Sequence, residues 1–262
     1  MNKITIDLEK GEISQFTDGG EMVVPIASYE GFEIAGKLWL RAGWDNKYLY
    51  SFTWMGRPIL QLPDDLIRLQ EIVWDVKPDM IIETGVAHGG SLAFFASLLH
   101  VLGRGMVVGI ERGLMDSTRE AVKSHVLSRY MSIIEGGSTD EDTVRKVRDV
   151  VSGSSRVMVL LDSNHSFNHV LDELNIYAEF VSEGSWIIAC DGIIGDLEGA
   201  PRVPEGSVTN NATEAVQEFL RGNDSFELLD PPLSFNESNI LRSPTYWRGG
   251  FLRKKSSVKT SE

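Results

Sequence analysis

The sequence predicts an α/β fold with a mostly parallel sheet and helices on both of its faces. From residue 63 onward, short and nearly all-apolar segments alternate with segments of helical periodicity. Such short apolar strands are typical of a parallel sheet that is buried on both sides. A glycine-rich turn joins the first of these strands to its helix, as in open α/β sheets that bind small ligands. The length of 262 residues suits one such domain with elaborations.

The predicted elements follow one another in a regular order. Pro63, Asp64 and Asp65 open a helix, with proline and acids in its first turn, that Pro78 stops. The predicted strands are Met80–Glu83, Met106–Glu111, Met131–Glu135, Val157–Asp162 and Trp186–Asp191. The helices between them are Ser91–Leu102, Ser117–Leu127, Glu141–Val151 and Phe167–Val181. A helix over Asn211–Arg221 and closing strands over Phe226–Leu229 and Trp247–Lys254 complete the order.

Three parts are expected along the chain. Residues 1–60 form an N-terminal arm that serves for packing, for the pocket of an acceptor substrate or for oligomer contacts. Within this arm we expect helical content from Ser28 to Leu40 and a loop over 43–48. Residues 61–255 form the main domain, and 256–262 are a polar tail. Within the main domain, the Gly- and Pro-rich stretch 192–210 is either an active-site lid or disordered.

Composition excludes several classes of partner. The formal net charge of −13 disfavours nucleic acids and anionic membranes, which reward clustered Lys and Arg. No apolar run approaches the roughly 20 residues that a bilayer requires, and the first residues lack the apolar core of a signal peptide. Cys190 is the sole cysteine, so no internal disulfide can form. We expect a soluble cytoplasmic enzyme.

The turn after the first strand is the most informative motif. Its pattern, E-x-G-x-x-x-G-G-S, runs from Glu83 through Gly85, Gly89 and Gly90 to Ser91 and differs from the dinucleotide pattern G-x-G-x-x-G. The negative charge of Glu83 is unfavourable to a pyrophosphate but suits an ammonium or sulfonium group. The turn therefore predicts a site for S-adenosylmethionine.

The next strand ends supply further candidate ligands for a nucleoside. Glu111, followed by Arg112, can accept hydrogen bonds from ribose hydroxyls, although an acid on a solvated strand end needs no such role. Ser138 follows two glycines and could contact an adenine edge, but a simple turn is an equal alternative. His88 could contact the cofactor carboxylate or the substrate, or be a surface residue at a helix start. With Asp162, the predicted cofactor-binding residues are Glu83, Gly85, His88, Gly89, Ser91, Glu111, Arg112, Ser138 and Asp162.

The fourth and fifth strand ends carry the candidate catalytic groups. Asp162 and Asp191 could share a divalent cation with water and substrate oxygens. Such a cation would lower the pKa of a substrate hydroxyl and orient its oxygen. His165 lies close to Asp162 in sequence and could take the proton near neutral pH. The alternatives are a helix cap for Asp162 and a surface position for His165, but Ser163, Asn164 and Ser166 are equally good caps.

Several of these segments together resemble a known family. They are Trp54-Met55-Gly56-Arg57-Pro58, Leu62-Pro63-Asp64-Asp65-Leu66, Gln70-Glu71-Ile72, Pro78 to Gly85 with Gly89-Gly90-Ser91, Leu161-Asp162-Ser163-Asn164-His165-Ser166, Gly184-Ser185-Trp186-Ile187-Ile188 and Gly250-Phe251-Leu252-Arg253-Lys254. The chain resembles the cephalosporin hydroxylase/rhamnosyl O-methyltransferase family of class I S-adenosylmethionine-dependent methyltransferases.

That resemblance implies a Rossmann-like, seven-stranded sheet whose last strand runs antiparallel. It also implies S-adenosylmethionine at Glu83, Gly85, Glu111 and Ser138, magnesium near Asp162 and Asp191, a hydroxylated sugar or natural product as acceptor, and a homo-oligomer. No iron motif of two histidines and a carboxylate is apparent in the sequence, so the hydroxylase label is not taken literally.

One position departs from the family pattern. The fifth strand of the family often ends in Glu-Asp, both able to ligate magnesium, whereas here Cys190 precedes Asp191. A thiol is a poor ligand for a hard cation, so Cys190 is a doubtful member of the metal site. Either Asp162 and Asp191 hold the metal with extra water, or the site is weakened, or metal use has been lost.

The sequence thus predicts an S-adenosylmethionine-dependent O-methyltransferase for a small hydroxylated acceptor, assisted by Mg2+, with no nucleic-acid or membrane partner. Two alternatives stay open. One is a nicotinamide-dependent oxidoreductase, which Glu83 and the missing G-x-G-x-x-G disfavour. The other is a catalytically degenerate methyltransferase fold that acts as a binding subunit.

Overall fold

The computed structural model describes residues 3–17 and 19–256. Within these residues the chain forms two compact units. The smaller unit comprises the residues up to Asn46 together with Pro232–Pro244, and the larger comprises Lys47–Pro231 and the residues from Thr245 onward. The predicted three-part organisation, with an arm over 1–60, a main domain over 61–255 and a tail over 256–262, stays a prediction.

The smaller unit contains an antiparallel sheet and one long helix. The sheet has the order β1 (Lys3–Asp7), β2 (Glu12–Thr17) and β3 (Gly20–Pro25). Helix α1 (Tyr29–Asp45) begins at Ser28, whose Oγ accepts the N–H of Gly31 at 3.0 Å. The helix includes much of the loop expected over 43–48, because the Asn46 N–H and side-chain amide both bond the carbonyl oxygen of Ala42.

The larger unit alternates strands and helices as the sequence predicts. A short hairpin, β4 (Phe52–Trp54) and β5 (Arg57–Ile59), precedes α2 (Pro63–Val76). The following elements are β6 (Met80–Thr84), α3 (Gly90–Leu102), β7 (Met106–Glu111), α4 (Asp116–Ser124), β8 (Met131–Glu135), α5 (Glu141–Val151), β9 (Val157–Leu161), α6 (Phe167–Tyr177), β10 (Trp186–Ala189), α7 (Ala212–Arg221), β11 (Phe226–Leu228) and β12 (Phe251–Lys254).

The strands of this unit form one seven-stranded sheet in the order β11-β12-β10-β9-β6-β7-β8. All pairs from β10 to β8 are parallel, and β12 runs antiparallel to both β10 and β11. The predicted fold class and the antiparallel last strand are therefore confirmed. Because the chain leaves β6 toward β8 and returns to β9 on the other side, the topological switch point lies between β6 and β9.

Helices cover both faces of this sheet. On one face, buried side chains of α5, α6 and α7, such as Val147, Leu174 and Val216, join strand residues in a single cluster. On the other face α3 packs closely, since a Cβ on Gly109 of β7 would lie 3.0 Å from a methyl group of Leu92. Among the described helices, none is long and apolar enough to cross a membrane.

Several predicted bounds were wrong by a few residues. Helix α4 ends at Ser124 because His125 is extended, and α6 ends at Tyr177 rather than at Val181. The strand expected to reach Asp191 ends at Ala189, and the last strand begins at Phe251 rather than at Trp247. The stretch 192–210 begins with a 3-10 turn over Gly192–Asp196 and buries apolar side chains, so it is packed in part rather than wholly open.

Candidate cofactor site

The predicted site residues lie where the parallel strands end. Glu83 is the penultimate residue of β6 and Gly85 follows that strand, Glu111 ends β7, Ser138 follows β8, Asp162 follows β9 and Cys190 follows β10. The carboxyl ends of neighbouring parallel strands meet at one edge of a sheet, which is where open α/β folds bind their ligands. The topology thus brings together residues that are up to about a hundred positions apart in sequence.

Glu83 is completely buried, and neither of its carboxylate oxygens has a hydrogen-bond partner among the described residues. Burial raises the pKa of Glu83 to about 8, the nearby hydroxyl of Ser91 opposes this rise, and the charge of Glu111 adds to it. An unpaired buried carboxylate is energetically costly. The site therefore has an unused capacity to bind a cation.

The turn after β6 needs glycine for steric reasons. Gly85 has φ +84°, and its N–H donates to the carbonyl oxygen of Ile110 at 2.9 Å. A Cβ at this position would lie 2.1 Å from the carbonyl oxygen of Asp162, so the backbone of this turn lies directly against the segment after β9.

The helix side of the same turn is also tightly packed. Gly89, with φ +78°, precedes α3, and a Cβ on Gly90 would lie 2.1 Å from the carbonyl oxygen of Pro58. Arg57 donates from Nε to the carbonyl oxygen of His88 at 2.9 Å. The predicted role of the His88 imidazole stays a prediction.

Glu111 faces the same turn from β7. Its Oε2 accepts the N–H of Val86 at 2.9 Å and that of Ala87 at 3.2 Å, and its Oε1 accepts the N–H of Gly113 at 3.0 Å. Partial burial alone would raise its pKa, but these backbone donors outweigh that effect and hold the pKa of Glu111 below its usual value. Glu111 is thus an ionised hydrogen-bond acceptor at this edge of the sheet, and its predicted role in ribose binding stays a prediction.

A cavity of about 310 Å³ opens beside Glu111, near the lower limit of volumes typical of small-molecule pockets. Its lining residues are Gly85, Ile110, Glu111, Arg112, Gly136, Gly137, Ser138, Thr139, Ser163, Asn164 and His169. Four of the predicted cofactor-binding residues are among them, whereas Glu83, His88, Gly89, Ser91 and Asp162 are not. The cavity suits the nucleoside part of a ligand.

Ser138 is fixed at this cavity by helix α6. Its Oγ lies 3.2 Å from Nε2 of His169, and its carbonyl oxygen accepts from the Tyr177 hydroxyl at 2.7 Å. The sequence predicts no role for His169, because a histidine on a helix gives no local sign of its neighbours in space. Arg112 is largely exposed, with Nη2 3.6 Å from an oxygen of Asp140.

The candidate catalytic groups lie at the ends of β9 and β10. His165 Nε2 is 3.4 Å from Oδ2 of Asp191, which has φ +57°. Asp162 Oδ2 accepts from Nε2 of Gln61 at 2.7 Å, a partner that the sequence analysis missed. Burial raises the pKa of Asp162 well above its usual value, and the nearby acids Asp191 and Glu83 raise it further.

The donor set suits magnesium only in part. Cys190 is buried, and burial together with nearby Asp162 and Asp191 raises the pKa of its thiol well above the usual value. A thiol is also a soft ligand, whereas Mg2+ is a hard ion that prefers oxygen ligands. Among residues 3–17 and 19–256, no three His, Cys, Asp or Glu side chains gather to hold a metal. Two carboxylates with water and substrate oxygens are nevertheless an arrangement that Mg2+ accepts, so Asp162 and Asp191 fit that ion and Cys190 does not.

Similar proteins place the chain in a family. The family model for rhamnosyl O-methyltransferase/CmcI matches residues 46–255. A rhamnosyl O-methyltransferase of Mycobacterium leprae is 28% identical over 175 residues, covering 65% of this chain and 72% of that protein. The corresponding enzyme of Mycobacterium tuberculosis is 26% identical over 156 residues, covering 58% of this chain; the match spans 60% of that enzyme's length.

Solved structures support the same fold. An apo-structure of CmcI aligns with a TM-score of 0.53 at 21% identity, and a Mg-SAM form of CmcI aligns with a TM-score of 0.53 at 20% identity. Each alignment covers 79% of this chain and 78% of the CmcI chain. Since the family model matches most of the chain, the chain belongs to the rhamnosyl O-methyltransferase/CmcI family.

Proposed function

We propose that this protein is an S-adenosylmethionine-dependent O-methyltransferase that acts on a hydroxyl group of a small molecule, a sugar or a natural product. Membership of the family and the printed activity of the curated relatives support the reaction class. The single observation that carries the proposal is the buried Glu83 carboxylate, which has no hydrogen-bond partner and lies beside a glycine-lined turn.

Electrostatics decides between the candidate cofactors. A ligand ammonium or sulfonium group near Glu83 would compensate the cost of burying its carboxylate, whereas a pyrophosphate would add like charge. Glu111, already ionised, suits the ribose hydroxyls, and the cavity beside it suits the base. These features favour S-adenosylmethionine over a nicotinamide dinucleotide.

The chain's own residues can supply acid–base catalysis. When bound, S-adenosylmethionine supplies an electrophilic methyl group. His165 would accept the proton of the acceptor hydroxyl, and the Asp191 carboxylate, 3.4 Å from its Nε2, would stabilise the imidazolium. Positioning of the acceptor oxygen would contribute much of the rate.

Asp162 and Asp191 would hold a magnesium ion, with Gln61 fixing one oxygen of Asp162. A divalent ion bound there would lower the pKa of the acceptor hydroxyl. Its remaining ligands would be water and acceptor oxygens, because the Cys190 thiol is unsuitable.

The proposal also covers the location of the protein in the cell, its oligomeric state and the class of its acceptor. We place the protein in the cytoplasm as a homo-oligomer, on the basis of the single cysteine and the family resemblance. Residues 1–60 would supply oligomer contacts or part of the acceptor pocket, and the 192–210 stretch would act as a lid. The charge of −13 supports a small-molecule acceptor rather than a nucleic acid or a membrane surface.

Isothermal titration calorimetry tests the cofactor directly. The purified protein should bind S-adenosylhomocysteine and S-adenosylmethionine, and NAD should give no saturable heat under the same conditions. Tight NAD binding without binding of either adenosyl compound would refute the proposal and favour an oxidoreductase. Binding without methyl transfer to any of a panel of glycosides would instead favour a degenerate binding subunit.

A further inference from the structure

A partly buried polar network borders the cavity on the side of helix α6. His169 and Glu173 lie one helical turn apart, with Nε2 of His169 3.3 Å from Oε1 of Glu173. The Glu173 side chain is completely buried. Ser163, from the segment between β9 and α6, lies against both, with its Oγ 2.7 Å from Oε1 of Glu173 and 3.0 Å from Nε2 of His169.

The direction of the hydrogen bonds among Ser163, His169 and Glu173 follows from which of these side chains carries a proton to donate. A carboxylate only accepts, so the single hydroxyl proton of Ser163 is donated to Glu173. The short contact between Ser163 Oγ and His169 Nε2 then requires that Nε2 carry the proton. Glu173 favours this state, because its hydrogen bond and charge raise the pKa of His169 against the opposing effects of burial and Arg112.

The same Nε2–H reaches Ser138. Ser138 Oγ lies 3.2 Å from Nε2 of His169 and must accept the hydrogen bond from this nitrogen. The hydroxyl proton of Ser138 is therefore free to be donated elsewhere. Among the described residues, no protein acceptor for that proton is recorded. Ser138 lines the cavity, is 6% exposed, and has its carbonyl oxygen held by the Tyr177 hydroxyl. Helix α6 therefore fixes both the side chain and the main chain of Ser138.

We infer that Ser138 donates a hydrogen bond to an unprotonated ring nitrogen of the purine, and that Glu173, acting directly on His169, holds Ser138 in this donor state. The inference rests on the proposed function, since it assumes that the cavity takes the adenosyl group. Ser138 is then a specificity-determining residue, and His169 and Glu173 are positioning residues. Ser163 lines the same cavity but has no proton to offer the base.

The test compares S-adenosylhomocysteine with its 1-deaza, 3-deaza and 7-deaza purine analogues by isothermal titration calorimetry. The wild type should bind one of the three analogues roughly 5- to 10-fold more weakly than the parent compound, the effect of losing one hydrogen bond. Ser138→Ala should weaken binding of the parent by a similar factor and show no further loss with that analogue.

Three further variants separate this role from a general structural effect. Ser163→Ala, a matched loss of a hydroxyl from the same cavity, should keep the wild-type discrimination between the analogues. His169→Leu should reduce the discrimination although Ser138 is intact, and His169→Gln, whose amide can donate in place of Nε2, should restore part of it. Thermal unfolding of each variant identifies any that fails to fold.

The inference is overturned if the wild type binds S-adenosylhomocysteine and all three analogues equally. It is also overturned if Ser138→Ala keeps the discrimination or if a folded Ser163→Ala abolishes it. If the wild type binds no adenosyl compound, the proposed function fails, and the inference fails with it. The two failures are therefore distinguishable.

Discussion

The ionised form of Glu83 lowers the free energy of unfolding of the unliganded protein. Its carboxylate is fully buried without a hydrogen-bond partner among the described residues, and burial raises its pKa to about 8. A protein retains such a group only where another requirement outweighs the cost, and a cationic ligand is the requirement that the position at the end of β6 suggests. This residue-level imbalance is the physical basis of the proposed function.

The first prediction concerns affinity. Glu83→Gln keeps the shape of the side chain but removes its charge, so S-adenosylhomocysteine, which carries an ammonium group, should bind at least about 10-fold more weakly, as for loss of a charge-assisted hydrogen bond. Calorimetric titration measures the change. Glu120→Gln, at a largely exposed position in α4, is the matched control and should bind as the wild type does. Equal affinity in both variants would argue against a cation at Glu83.

The second prediction concerns stability and pH. Because the pKa of Glu83 is higher in the folded state, about 8 against 4.5, the folded protein retains this proton longer than the unfolded chain does. The contribution of Glu83 to the free energy of unfolding therefore falls as pH rises through that window. Glu83→Gln should match the wild type below about pH 4.5 and exceed it by on the order of 5 kcal/mol above pH 8.

Urea unfolding across this pH range, without ligand, provides the measurement. Asp79→Asn should behave in the opposite way, because hydrogen bonds from Ser155 and the Arg156 N–H outweigh burial and lower the pKa of Asp79. Its loss of stability should be largest at neutral pH and shrink in acid. A difference between Glu83→Gln and wild type that does not change with pH would contradict the buried-carboxylate explanation.

The third prediction concerns the metal. Cys190→Glu would place a third carboxylate next to Asp162 and Asp191, so Mn2+ should bind about 10-fold more tightly than to the wild type. Titration followed by electron paramagnetic resonance gives the affinity without any assay of activity. Cys190→Ser is the neutral control, and Cys190→Asp serves if the longer side chain disturbs folding. No gain in a folded Glu or Asp variant would mean that Asp162 and Asp191 do not form a metal site.

At the scale of elements, the turn between β6 and α3 depends on close backbone approach. The turn lies against the carbonyl oxygen of Asp162 after β9 and against the β4–β5 hairpin at Pro58, and both approaches occur at glycine positions. The N–H groups of Val86 and Ala87 in this turn also fix Glu111. Packing of these elements therefore sets the geometry of the proposed nucleoside site.

The fourth prediction follows from this packing. Gly85→Ala combines a positive φ with a Cβ 2.1 Å from the Asp162 oxygen, so it should lower the free energy of unfolding by more than about 3 kcal/mol. Gly113→Ala, whose Cβ would meet only Glu111 Oε1 at 4.0 Å, should cost less than about 1 kcal/mol. Urea denaturation distinguishes them. Similar small losses in both would show that the turn has more room than the structure gives it.

The elements that were predicted well from the sequence are those with a strong apolar pattern. Strands β6 to β10 are almost wholly apolar and were predicted within one or two residues, as was α7, whose N-cap Asn211 accepts from the Glu214 N–H. The three strands of the smaller unit were not predicted, because most of their residues are exposed and the apolar positions give no clear burial pattern. Exposed antiparallel strands lack the signal that burial imposes.

At the scale of the whole molecule, topology explains which residues of the candidate site could be predicted from the sequence. Strand-end residues such as Glu83 and Glu111 were identifiable, since parallel strands must align their carboxyl ends. Gln61 and His169 were not, because their roles come from contacts with Asp162 and Ser138, which are distant in sequence. Such pairings depend on packing between elements, and a single sequence carries no local sign of them.

We propose that the buried Glu83 carboxylate at the end of β6 binds the cationic end of an adenosyl cofactor. Calorimetric titration with S-adenosylhomocysteine near pH 7, repeated in buffers of different ionisation enthalpy, tests it most directly. Because Glu83 has a pKa of about 8 when unliganded, binding should release close to one proton from the wild type and none from Glu83→Gln. Binding with no proton release, or with equal release in both proteins, would contradict the claim.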